Sequence, residues 1–204
     1  LGWEYKGHPQ FNSVVDECAA ILDELKKDSQ SHQGALSDTR PTHSRMFTKV
    51  TPAACQYLAG NYRGSHHPCL TTYRVQVGPH IGTAPIQVDA FMQAFHVDLA
   101  GALQKLDTAA ADAKKPGEKA KVLQKIVAVC AATLERFLTI HPYANGNGHT
   151  ARLLIWILLV RYGRIPVRWT LEKSPPGYGD LIQKYRCGDT KPLMVFILSA
   201  IIGA

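Results

Sequence analysis

Apolar residues along most of this chain recur at steps of three and four, the period of a helix with one buried face. Over residues 11–27, "FNSVVDECAAILDELKK", the set Val14, Cys18, Ile21, Leu22 and Leu25 predicts an amphipathic helix, with Asn12 or Ser13 as its cap. Residues 28–44, rich in Ser, Asp, Gln and Thr, read as a loop, and "VTPAACQYLAG" as a short helix closed by Gly60. The period changes in "TTYRVQVGPHIGTAPIQV", where Tyr73, Val75 and Val77 alternate with polar residues and Gly78-Pro79 punctuates before Ile81. That pattern predicts a strand pair with a turn. Helical spacing returns over 87–106 through Phe91, Phe95, Leu99 and Leu103, and "DTAAADAKKPGEK" reads as a solvated connection. A further helix is predicted over 119–140 through Val122, Ile126, Val129, Cys130, Leu134 and Leu138, another from about His149, and two more at 178–186 and 191–202. The expected fold is all-α: a helical bundle carrying one small β-hairpin. Its 204 residues suit one domain, with the core at about 50–204 and residues 1–45 as an N-terminal helix and loop.

A content of 46% hydrophobic and 19% charged residues is enough for a real core and argues against disorder. The net charge of +7 favours anionic partners, phosphates first. Lys26, Lys27, Lys114, Lys115, Lys119 and Lys121 lie in polar stretches that read as solvated faces, and no nucleic-acid-binding motif accompanies them. A nucleic-acid partner is therefore not expected. The five cysteines, Cys18, Cys55, Cys69, Cys130 and Cys187, show no C-x-x-C pairing and read as small buried hydrophobes in a reducing compartment. The apolar run Leu153 to Val160 is too short for a membrane span and reads as a core helix. The sequence as given opens at Leu1 without a basic, apolar, small-residue leader, and export stays open.

One segment carries chemistry. In "TIHPYANGNGHTARLLIWILLV" a polar loop with two glycines runs straight into a buried helix. A helix mouth presents unpaired backbone N–H groups and a partial positive charge, and glycine lets that backbone approach a ligand closely. Arg152, about one turn in, adds a fork of donors suited to phosphate. His141 stands just before the loop, where an imidazole beside a bound phosphate can take a proton from an attacking hydroxyl. Asn145 and Asn147 read equally well as turn residues. In "SHHPC", His66, His67 and Cys69 lack a second ligand pair at zinc spacing and read as a solvent loop.

"HPYANGNGHTAR" resembles the signature of the Fic family, H-P-F-x-[D/E]-G-N-G-R-x-x-R, with His141, Pro142, Gly146, Asn147, Gly148 and Arg152 in register and Tyr143 for the aromatic residue. The similarity extends upstream to "YRVQVGPHIGTAPIQVDAFM", like the family's flap hairpin and following helix, and downstream to "GDTKPLMVFILSAI", like its last helix. The resemblance implies AMP transfer from ATP, with Mg²⁺, to a Ser, Thr or Tyr hydroxyl of a target protein. It implies His141 as general base and Gly146, Asn147 and Gly148 as the phosphate cradle, with the Asn147 amide donating too. Arg152 would hold the distal phosphates, while Ile140 and Tyr143 pack the loop. By the same resemblance the edge at Tyr73, Arg74, Val75, Gln76 and Val77 is a flap that pairs with an extended target segment; from the residues alone, Tyr73, Val75 and Val77 simply cover the core.

Two motif positions depart. Asn145 stands where an acidic residue commonly holds Mg²⁺ and would be a weak, uncharged ligand. His149 replaces an arginine and makes a shorter, pH-dependent anchor for the loop or the phosphate. These leave two further readings open: transfer of another phosphate-containing group, and a domain that binds nucleotide or a partner without chemistry. Many Fic proteins are restrained by a helix with S/T-x-x-x-E-[G/N]; Ser13 and Glu17 match it, but Cys18 takes the last place. Glu17 is the candidate inhibitory residue, and a plain amphipathic helix is the simpler reading. The expected location is a cytoplasm, this cell's or another's, with no integral membrane segment.

Overall fold

The structure is a computed structural model that describes residues 3–167, 169–171, 174 and 176–202. Among these, seven α-helices follow in order: α1 (Asn12–Lys27), α2 (Arg40–Phe47), α3 (Val88–Asp112), α4 (Pro116–Ile140), α5 (Asn147–Arg161), α6 (Tyr178–Arg186) and α7 (Lys191–Ile202). A two-stranded antiparallel hairpin, β1 (Gln76–Val77) and β2 (His80–Ile81), precedes α3. Short 3₁₀ turns at Gln33–Leu36, Thr48–Val50, Ala53–Leu58 and Pro85–Gln87 fill the connections. The expected all-α bundle with one small hairpin is the fold observed.

α5 is apolar on every side and is buried from His149 through Val160, so it forms the central pillar. α4 packs along it, with α1 also against it, while α3 and α7 flank α4. Each fully buried Leu, Ile or Val contributes about 1.5–3 kcal/mol of transfer free energy, so burial on all sides holds this pillar in the core. One hydrophobic core runs from Trp3 and Tyr5 at the start of the chain to Ala200 in α7.

The departures from expectation are local. Residues 28–44 are not one loop: a 3₁₀ turn and the start of α2 lie within them. α2 begins with Pro41 in its first turn and buries Thr42, His43, Met46 and Phe47. Arg45 clamps it to α1 by bonding Glu17 at 2.9 Å and Glu24 at 2.8 Å. α1 starts at Asn12 without a side-chain cap, because the Ser13 hydroxyl donates to the Gln10 carbonyl. The connection between α3 and α4 is shorter than expected. α3 runs on to Asp112, and α4 starts at Pro116, where the Glu118 carboxylate accepts the Lys114 and Lys115 N–H groups.

The hairpin is also shorter than the alternation suggests. Tyr73 lies outside it: its carbonyl accepts from Arg63 and its hydroxyl accepts the Trp3 N–H. The cysteines divide in an unforeseen way. Cys18, Cys55 and Cys130 are buried and Cys187 is exposed, but the Cys55 and Cys69 sulfurs lie 3.6 Å apart, with the Tyr57 hydroxyl 3.0 Å from Cys69 Sγ and 3.5 Å from Cys55 Sγ. Tyr57 in turn stacks on His67, so "SHHPC" packs on its neighbours.

Candidate active site

The loop between α4 and α5 is held from below by residues far away in sequence. α4 stops at His141, whose φ of 53° is left-handed, and Pro142 cannot continue the helix. The Asn147 side chain then staples the loop, accepting the Tyr143 N–H and donating to the Tyr143 carbonyl, both at 2.8 Å. The His43 ring stacks on Tyr143 at 3.7 Å. Its Nδ1 accepts the Gly60 N–H, so Nε2 carries the proton and donates to the Asn145 carbonyl at 3.0 Å. Complete burial lowers the His43 pKa to about 3 and keeps the ring neutral. Gly146, at φ 77°, lies on the Phe47 ring; a Cβ there would come within 2.5 Å of it. The Tyr143 hydroxyl is bonded to Thr39 Oγ1 at 2.6 Å.

The first N–H with an acceptor inside α5 is that of Thr150, bonded to the Gly146 carbonyl. Those of Asn147, Gly148 and His149 have no carbonyl four residues back within the helix. These residues line a cavity of about 910 Å³, a size ordinary for a cofactor or nucleotide. Its walls come from the motif loop, the hairpin tip Val77–His80, α6, and Tyr5 and Lys6 of the N-terminal segment.

His141 stands on this cavity with its chemistry set. Its Nδ1 lies 3.0 Å from the Leu138 carbonyl, which only accepts, so Nδ1 bears the proton and Nε2 keeps its lone pair. Burial, helped by the nearby Arg63 and Arg186 charges, lowers its pKa to about 4. The ring is therefore a neutral base at physiological pH. Arg63 holds it in place. This buried arginine donates to the His141 carbonyl at 2.7 Å, to Tyr73 and Thr83 at 2.9 Å and to Ile140 at 3.0 Å, joining the motif to the base of the hairpin. Gly82 completes the junction, since a Cβ there would sit 3.0 Å from that of His141.

A family model described as the Fic/DOC family matches residues 35–159, from before α2 to near the end of α5. The chain belongs to the Fic/DOC family. It is similar to the "Protein adenylyltransferase Fic" of Aedes aegypti, 28% identical over 163 residues, which cover 79% of this chain and 26% of that protein. It is also similar to "Protein adenylyltransferase fic-1" of Caenorhabditis briggsae, 25% identical over 92% of this chain and 32% of that one. The chain thus spans about a quarter to a third of these curated relatives. Among solved structures it resembles a Fic domain containing signalling protein from Bacteroides thetaiotaomicron, with a TM-score of 0.63 and 18% identity, covering 93% of this chain and 68% of that one. That likeness concerns the fold.

In this Fic domain the cavity brings together His141, Asn145, Gly146, Asn147, Gly148, His149, Arg152 and Val77. Several of these side chains are already engaged within the protein. The Asn147 side chain is committed to Tyr143. The Arg152 guanidinium donates to the Leu171 carbonyl and, at 2.9 Å, to the Ser174 hydroxyl. Asn145 Oδ1 accepts the Gly146 N–H and its Nδ2 donates to the Trp3 carbonyl at 2.7 Å. His149 is wedged between Tyr5 and Phe47, with Nδ1 3.3 Å from the Tyr5 hydroxyl. Glu17 does not line the cavity; its carboxylate pairs with Arg45 and Lys49. In the flap, Gln76 and Val77 are in β1, Val75 accepts the Gly82 N–H, Arg74 is exposed, and Tyr73 belongs to the scaffold.

The residues that support the loop, Thr39, His43 and Phe47 on or before α2, Arg63, Trp3 and Tyr5, were missed by sequence reasoning. The available signal was Phe47, Trp3 and Tyr5 as unassigned large aromatics. Magnesium, implied by the family resemblance, finds a poor donor set here. The amide oxygen at position 145 is taken, the lining carboxylate is Asp180 of α6, and no group of three His, Cys, Asp or Glu residues suited to a metal occurs among the described residues. These residues do not build a magnesium site of their own. No helix of the described residues is long and apolar enough to cross a membrane.

Proposed function

We propose that this domain is a protein adenylyltransferase that moves AMP from ATP to a Ser, Thr or Tyr hydroxyl of a target protein. The observation that carries the reading is His141: its Nδ1 proton is tied to Leu138, and the residue shares a cavity with the first residues of α5. The target hydroxyl oxygen attacks the α-phosphorus while its proton passes to His141 Nε2. The bond from that phosphorus to the bridging oxygen breaks, and pyrophosphate leaves with the electron pair. The N–H groups of Asn147 and Gly148 at the helix N-terminus take the negative charge on the α- and β-phosphates, and Arg152, one turn deeper, adds positive potential. Catalysis is then positioning plus electrostatic stabilisation.

The hairpin supplies the second half of the reaction. Val77, Gly78, Pro79 and His80 line the same cavity as His141, so a target strand paired along β1 would hold its hydroxyl beside the base. Incubating the protein with ATP and cell lysate, followed by peptide mass spectrometry, tests this. Hydroxyl side chains should gain AMP with wild type and not with His141→Ala. Phosphoryl adducts in place of AMP, or identical adducts with both proteins, would overturn it.

A further inference from the structure

The two positions where the motif departs from its family are both held by one segment. Asn145 donates to the Trp3 carbonyl at 2.7 Å, and His149 Nδ1 lies 3.3 Å from the Tyr5 hydroxyl. An arginine or a carboxylate would not make these contacts: a carboxylate at 145 would face the Trp3 carbonyl oxygen to oxygen, and the slot between Tyr5 and Phe47 fits a ring. The segment itself is firmly seated. Trp3 is 6% exposed and Tyr5 3%, the Trp3 indole donates to the Val50 carbonyl, and its backbone N–H donates to the Tyr73 hydroxyl. Burial pushes the Tyr5 hydroxyl up to about 12, so it stays protonated. The chain turns directly after Tyr5, where Glu4 accepts the Lys6 N–H, and Lys6 emerges on the cavity wall.

From this arrangement we infer that Trp3–Lys6 is a strap that forms part of the nucleotide site, and that Lys6 supplies the cation for the distal phosphates on the side where the motif has His149 in place of arginine. The other lining cations have partners: Arg152 donates to Leu171 and Ser174, and Arg186 pairs with Glu135 at 3.1 Å. The Lys6 ammonium, on an exposed side chain, makes no ion pair among the described residues. A long flexible stem brings it to phosphates lying on the N-terminus of α5 as a point charge. The segment thus substitutes from a distant part of the chain for charge that the motif lacks.

The inference rests on the nucleotide reading of the cavity, and one calorimetric series separates the two. ATP and AMP are titrated into wild type, Lys6→Ala and Lys6→Arg, with thermal unfolding measured in parallel. Lys6→Ala should weaken ATP about tenfold and leave AMP unchanged, with no loss of thermal stability, and Lys6→Arg should restore ATP. Wild type that binds ATP no better than Lys6→Ala, or an equal loss for ATP and AMP, would overturn the role of Lys6 alone. Wild type that binds neither nucleotide would overturn the nucleotide reading and this inference with it.

Discussion

Replacing Arg63 with methionine keeps much of the side-chain volume and removes every donor. The guanidinium serves four main-chain carbonyls, those of Tyr73, Thr83, Ile140 and His141, at 2.7 to 3.0 Å, and the residue is 1% exposed. Charge-assisted bonds contribute about 1.5–3 kcal/mol each, so the gross loss is about 6–12 kcal/mol. Part of this is offset, because burial of the charge itself is costly, as the lowering of the Arg63 pKa to about 10 shows. Arg63→Met leaves no buried ion behind, only carbonyls short of a donor at about 1–3 kcal/mol each, so after the offset the net cost is about 3–5 kcal/mol. At about 2–4 °C per kcal/mol for a chain of this size, the melting temperature should fall by about 6–20 °C. Differential scanning calorimetry reads this directly, with Arg63→Lys falling in between because one ammonium cannot serve four carbonyls. AMP transfer measured well below the new melting temperature should fall more than tenfold, since the His141 carbonyl has lost its tether. A melting temperature within about 2 °C of wild type for Arg63→Met would refute the view that Arg63 joins the motif to the hairpin.

Three further outcomes follow from the same contacts. His43 and His141 have folded pKa values of about 3 and 4, below the ordinary histidine value of 6.5, so between those limits the unfolded chain binds more protons. Stability should therefore fall as pH drops from 6.5 to 5, lowering the urea midpoint, and an unchanged or higher midpoint at pH 5 would contradict the buried neutral rings. Gly146→Ala places a Cβ on Phe47 at a left-handed φ and should cost more than about 2 kcal/mol, read as a lowered denaturation midpoint; wild-type stability would count against the close packing of α2 under the loop. Finally, peroxide should convert the Cys55 and Cys69 thiols to a disulfide, itself reduced to two waters. Peptide mapping should show this cross-link ahead of any involving Cys18 or Cys130, and its absence would overturn the pairing of these two thiols at 3.6 Å.

Much of the fold was written in periodicity. α3 and α4 carry apolar residues at steps of three and four, α5 shows as an unbroken apolar run, and α6 and α7 fall at 178–186 and 191–202 as expected. The family was legible in one short segment, because the order His, Pro, Gly, Asn, Gly, Arg is specific. α2 was not legible: "RPTHSRMF" offers two adjacent apolar residues and no period, and its helix is held by tertiary contacts to α1 and the loop. The N-terminal strap is too short to show any period, and Arg63 is a single basic residue in a turn-rich stretch. What sequence spacing conveyed least was which atoms are already engaged. Asn145, Asn147 and Arg152 are named by the motif, yet their side chains bond Trp3, Tyr143 and Leu171, contacts 142, 4 and 19 residues away along the chain.

The central claim is that His141 Nε2 receives the proton of a target hydroxyl as AMP is transferred. Its most direct test is label transfer in lysate with ATP carrying label at the α- or the γ-phosphate, comparing wild type with His141→Ala. The account predicts protein-bound label from the α-phosphate alone, lost in the variant; label from the γ-phosphate, or α-label that survives in His141→Ala, would contradict it.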